Sequence, residues 1–208
     1  MKILFLISSA LLLVCAAASA HADSVTYTVS VNTSSASSQS GYIDLEFNAG
    51  SLPSSALTAT VTGFTGATLN SSDSANDAIG TTGSLPGPLV FDNQTGNDYF
   101  EALTFGDSLS FLVTISGPGL TTAGQSGTDF QLSFLDSSQT SYLLGSDPSA
   151  LGSALIEVGA DGTVALGDQP NVTAAAVPAA TPEPSTLSLL GLGGVLLGTV
   201  RRWRPRSA

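Results

Sequence analysis

Apolar residues recur at every second position along much of this chain. Val25, Tyr27, Val29 and Val31 alternate with Ser and Thr, as Leu57, Ala59 and Val61 do with Thr. Ile43, Leu45 and Phe47 alternate with Asp44 and Glu46; Leu109, Phe111, Val113 and Ile115 form the cleanest run, and Phe130, Leu132 and Phe134 another. A period of two sends successive side chains to opposite faces of a strand, so one face is buried and the other solvated. Shorter candidates lie at Leu89–Phe91, Tyr99–Phe105, Ser141–Leu144, Ala154–Val158 and Thr163–Leu166. Turn-forming clusters separate them, and Asp161-Gly162, between two short apolar runs, predicts a two-residue hairpin. Asn70–Ser84 is the longest stretch without the pattern and reads as a surface loop. Ser, Thr and Gly are abundant and helix formers scarce. The expected fold is all-β: an antiparallel two-sheet sandwich, jelly-roll-like, with about ten short strands over residues 23–167.

Charge narrows the partners. The five basic residues are Lys2, Arg201, Arg202, Arg204 and Arg206, all at the two ends. From Asp23 to Ala180 there are fifteen acidic residues and no Lys or Arg, a formal charge of −15. A body without cations cannot neutralise phosphates, which excludes nucleic-acid binding. Anionic polymers are repelled unless a divalent cation bridges them. Many of the Asp residues adjoin Gly, Ser or Asn, where they close turns.

The ends carry addresses. Lys2, the apolar run Ile3–Val14 and the small residues Ala16–Ala22 have the layout of a secretory signal peptide. Cuts after Ala20 and after Ala22 both fit; Ala22 is favoured because a strand pattern starts directly after it, which makes residues 1–22 the signal. Cys15 follows the bulky Val14 and not the small residue a lipidated Cys needs, so it leaves with the signal and the mature chain holds no cysteine. Residues 168–181 are rich in Ala, Val and Pro without alternation and read as an extended linker. Beyond them, residues 182–208 comprise Pro182-Glu183-Pro184, an apolar run over 187–200 and a basic end over 201–206. Fourteen residues of helix span about 21 Å, short of a bilayer core of about 30 Å. The arginines tip the reading towards one transmembrane helix, because Arg201, Arg202, Arg204 and Arg206 hold its end in the cytoplasm.

The segment PEPSTLSLLGLGGVLLGTVRRWRPR resembles the PEP-CTERM sorting signal of Gram-negative bacteria: a Pro-Glu-Pro motif, a Gly- and Leu-rich helix and a terminal Arg cluster. The resemblance implies that Pro182, Glu183 and Pro184 are recognised by an exosortase-type membrane enzyme. It implies signal peptidase and exosortase as partners, transient anchoring by the C-terminal helix, and final release or attachment at the cell surface or outside the cell. It also implies association with extracellular polysaccharide or biofilm matrix.

The body offers little for catalysis. His21, the one histidine, lies in the signal, so the mature chain has no His, Cys or Lys. Without them there is no Ser-His-Asp triad, Cys-His pair, Ser-Lys dyad or His-ligated zinc. The expectation is a non-catalytic structural or adhesive module without a cofactor. Calcium is the one candidate ligand ion, because it takes oxygen donors from Asp and Asn in loops. Two clusters qualify, Asp73, Asn76 and Asp77, and Asp92, Asn93, Asn97 and Asp98, set against the plainer reading of solvated acidic loops. The alternative to a structural role is a carbohydrate-binding module, with Tyr42, Tyr99, Phe100 and Tyr142 as candidate aromatic contacts.

Overall fold

The computed structural model describes residues 24–144 and 154–178. They form an all-β fold. Its strands are β1 (Ser24–Asn32), β2 (Ser40–Ala49), β3 (Thr58–Leu69), β4 (Asp77–Ile79), β5 (Thr81–Gly83), β6 (Leu89–Asp92), β7 (Asp98–Ser116), β8 (Thr128–Asp136), β9 (Ala154–Val158), β10 (Val164–Leu166) and β11 (Val172–Ala176). All pairings are antiparallel, and they join the eleven strands into one hydrogen-bonded network. The sequence led to two separate sheets. They are connected because Tyr99–Phe105 and Leu109–Ile115, read as two strands, are one strand of 19 residues. The odd-numbered positions of β7 face inward in both halves, Tyr99–Phe105 and Leu109–Ile115, on either side of exposed Asp107, which lets a single strand serve two sets of partners.

Along one edge, β7 pairs first with β2, over Tyr99–Thr104, and then with β1, over Ser108–Ser116. From that fork one branch runs β2-β8-β9-β10 and the other runs to β11 through β1. On its other edge β7 pairs with β4 and with β3, whose register shifts twice between Thr62 and Ala67. The shifts fall where Gly66 and Gly106 bring their backbones together. A side chain at Gly66 would strike the Ser108 carbonyl, one at Gly106 would strike the Gly66 carbonyl, and Gly66 has φ of +94°.

The inward positions of the strands on both sides of β7 form one core that includes Phe47, Phe91, Phe111, Phe130 and Phe134. Phe91 on β6 meets Phe130 on β8 edge to face at 6.0 Å. Those two strands share no hydrogen-bonded pairing, so the β3-β6 side of the network and the β2-β8 branch lie face to face, as in a sandwich. Burial of each such aromatic is worth about 1.5–3 kcal/mol against leaving it in water.

Three local expectations are corrected. The presumed loop Asn70–Ser84 contains β4 and β5. The hairpin at Asp161-Gly162 has a longer connection, residues 159–163, closed by Gly159 N–H donating to the Thr163 carbonyl at 2.7 Å and by Asp161 Oδ1 accepting from Thr163 N–H at 3.0 Å. The presumed linker 168–181 contains β11, which pairs with β1 from Tyr27↔Ala176 to Val31↔Val172. The ordered body therefore runs past residue 167.

Candidate functional site

Directly opposed residues on antiparallel strands share a face, so the register maps the outer surface of the β8-β2-β7-β4 region. One row reads Tyr142, Leu135, Tyr42, Ala102 and the next Ser133, Asp44, Phe100, Asp77. Further along, Glu46 lies opposite Gln131, Asp98 opposite Ile79, and Asn48, Asp129 and Glu157 form a third row. The face is aromatic at one end and acidic over the rest.

At the aromatic end, Tyr42 and Phe100 stack at 4.6 Å with their planes 10° apart. The segment Asn70–Asn76 folds over this end. Asn70 N–H donates to the Ala102 carbonyl at 2.8 Å, and Asn76 Oδ1 accepts from Ala102 N–H at 2.7 Å. Tyr42 is thereby buried, its hydroxyl 3.4 Å from Asp73 Oδ1. Tyr99, which sequence offered as a sugar-contacting aromatic, lies in the core. Its hydroxyl donates to Glu101 Oε2 at 2.7 Å and accepts from Leu85 N–H at 3.1 Å, and burial followed by the Glu101 hydrogen bond raises its pKa. Of the four aromatic candidates Tyr142 alone is exposed, and Phe100 is half-buried.

At the acidic end, Asp44 on β2 and Asp98 on β7 lie next to one another, and each carboxyl bears on the other's ionisation. Burial first, then the charges of Asp98 and Glu46, push the Asp44 carboxyl up to about 7. Burial also raises Asp98, Glu46 and Asp129, with the Glu157 charge adding to the effect on Asp129. Asp44 Oδ1 and Asp98 Oδ1 are buried with no donor among the described residues. No cation exists in this part of the chain to neutralise them, so a shared proton is the available remedy.

The two calcium clusters are placed differently from what their composition suggested. Asn97 Oδ1 accepts from Phe47 N–H at 2.7 Å, while its Nδ2 donates to the carbonyls of Phe47 at 2.7 Å and Asp92 at 2.8 Å. Asn93 Oδ1 accepts from Leu57 N–H at 2.8 Å, and its Nδ2 donates to the Ser55 carbonyl at 2.9 Å and Thr128 Oγ1 at 2.8 Å. Both are buried pins: Asn97 ties its loop to β2, and Asn93 ties its loop to β8 and to Leu57, just ahead of β3. Asp92 Oδ1 caps the turn after β6 by accepting from the N–H groups of Gln94 and Thr95. Asn76 is likewise committed, and its Nδ2 donates to Glu101 Oε1 at 3.0 Å. Asp73 accepts from Ala75 N–H and Asp77 from Ala78 N–H, and Asp98 belongs to the pair with Asp44. Among the described residues no three of Asp, Glu, His or Cys are disposed to hold a metal ion. Sequence reasoning missed the Asp44–Asp98 pair; the signal available was that positions 44 and 46 fall on the polar side of an alternating run.

Ala22, the Pro182-Glu183-Pro184 motif, the apolar run 187–200 and Arg201, Arg202, Arg204 and Arg206 lie outside the described residues. Among the described residues no helix is long and apolar enough to cross a membrane. Residues 180–206 match the PEP-CTERM protein-sorting motif. No curated protein and no solved structure matches the chain.

Proposed function

We propose, from the PEP-CTERM motif behind a folded β body, that this chain is an exported surface or extracellular-matrix protein with a non-catalytic structural or adhesive role. The motif itself implies processing by an exosortase, a membrane enzyme, and export with membrane-anchored sorting. The match at residues 180–206 carries the reading. A body without His, Cys or Lys supports the non-catalytic part, and a net charge of −15 suits a soluble, mutually repelling surface layer. The test is intact mass of the mature protein from culture medium and from membranes, with and without the exosortase. The expected species begins near Asp23 and ends near Pro182, and it disappears without the enzyme. A membrane species that keeps Arg206 in both strains sinks the reading.

A second reading, a carbohydrate-binding module, draws on exposed Tyr142 and half-buried Phe100 on the same outer face. Calcium belongs with this reading as a bridge between the acidic face and an anionic glycan. A glycan array probed with calcium and with a chelator tests both parts, and an array without hits removes them.

A further inference from the structure

The last strand of the body occupies the stretch that composition marks as a linker. Among the described residues β11 pairs with β1 and with no other strand. Thr173, Ala175 and Ala176 are exposed, and only Val172 and Ala174 pack against the core. Such a strand contributes little burial of its own, and elements of this kind open at low free energy. β1 is paired with β7 over its whole length, Ser24–Asn32, so it stays in place when β11 leaves.

The tie nearest the tail is Val177 N–H donating to the Thr26 carbonyl at 2.8 Å. The sorting motif opens at Pro182, which leaves residues 178–181 as spacer. Four residues reach at most about 14 Å, whereas a body of this size has a radius of gyration of about 15 Å. The apolar run starts at Leu187, directly behind the motif. A membrane enzyme engaging Pro182–Pro184 needs extended chain on the upstream side, and a closed sheet edge this near leaves it almost none.

We propose that β11 is a releasable strand: it leaves β1 while the sorting enzyme engages Pro182–Pro184, so residues 172–181 enter the enzyme as extended chain. β11 closes onto β1 once the enzyme lets go. This rests on the sorting reading above.

The test locks β11 in the full-length chain in its exporting cell with Thr28→Cys and Ala175→Cys. These positions are directly opposed, and both side chains point away from the core. They fall in step with the hydrogen bonds Asn32 N–H to Asn171 O and Val177 N–H to Thr26 O, which makes them a hydrogen-bonded pair. Such pairs have Cα atoms about 5.5 Å apart, within disulfide reach. The disulfide-closed chain is expected to keep its tail and remain with membranes. Each single-cysteine variant, and the double variant under reductant, is expected to be processed like the wild type. A Gly/Ser insertion of about ten residues after Pro178, adding roughly 16–19 Å of reach, is expected to restore processing of the closed chain. Processing of the closed chain at the wild-type rate overturns the inference. So does a block that the insertion fails to relieve, because the lock then acts by some other route. A wild-type chain that never loses its tail removes the sorting reading, and this inference with it.

Discussion

The outer face of the β8-β2-β7-β4 region and the outer face of the β1-β7-β3-β6 region are built by the same alternation, yet they differ in chemistry. The first carries Asp44, Glu46, Asp77, Asp98, Asp129 and Glu157. Across the second, the rows read Ser24, Ser116, Thr58, Asp92; then Thr26, Thr114, Thr60, Val90; then Thr28, Leu112, Thr62; then Ser30, Ser110, Thr65. One carboxylate, at a corner, stands among hydroxyls. A period of two specifies which side of a strand meets water and leaves open what the wet side carries. On the acidic face carboxylates crowd until one must hold a proton, whereas on the hydroxyl face neighbours bond to each other, as Thr26 and Thr114 do at 3.0 Å. Proton-dependent behaviour should therefore reside on one face alone.

The contrast applies to outer surfaces only, and the largest test addresses what they share. Phe130→Ala should cost about 3–5 kcal/mol, in a single unfolding transition by both circular dichroism and fluorescence; two transitions would make the faces independent units. Asn97→Ala leaves the buried Phe47 N–H without its acceptor and should cost about 2–4 kcal/mol. Denaturant melts should give the same loss with calcium and with chelator, and a loss that appears only with calcium would return Asn97 to a metal site.

Next is the proton. The Asp44 carboxyl is raised from 3.8 to about 7 in the fold, so the folded state holds a proton that the unfolded chain has released between those values. Stability is therefore highest at the acid end of that window and falls as pH rises through about 7. Asp44→Asn should flatten this slope and raise stability at pH 8 by about 1–3 kcal/mol, read from melts at pH 5 and pH 8. A variant that keeps the wild-type slope would place the proton elsewhere. The smallest effect is expected on the other face. Thr60→Asp, set between Thr114 and Val90, should cost about 0.5–1 kcal/mol with no change of slope between the two pH values. A steep slope there would erase the distinction between the faces.

What could be read in advance followed the strength of the alternation. Leu109–Ile115 and Phe130–Phe134 declare strands because every inward position is large and apolar, and all seven of these residues are buried. β11 did not declare itself. Val-Thr-Ala-Ala-Ala has no contrast between faces, and alanine sits equally well half-buried or exposed, so the edge of β1 and not the segment's own pattern makes it a strand. β4 and β5 were hidden for the same reason: three residues each, almost all exposed, they exist through β7 and β6. At the site, composition offered Asn93 and Asn97 as candidate calcium ligands because Asn in acidic loops is chemically ambiguous. Only burial and partners reveal that their amides stand in for missing backbone pairings. Asp44 escaped notice because no local pattern tells that residue 98, across the sheet, is also acidic.

Gly66 and Gly106 are forty positions apart in the chain but meet at a single close approach where the register of β3 against β7 shifts. A side chain at Gly66 strikes the Ser108 carbonyl and one at Gly106 strikes the Gly66 carbonyl, so both act on one close approach of the backbones, and the double variant should depart from the summed losses of the two single ones. In lineages descending from this fold the two positions should then change together or not at all, and that covariation would reveal from sequence alone where the pairing of β3 with β7 shifts register.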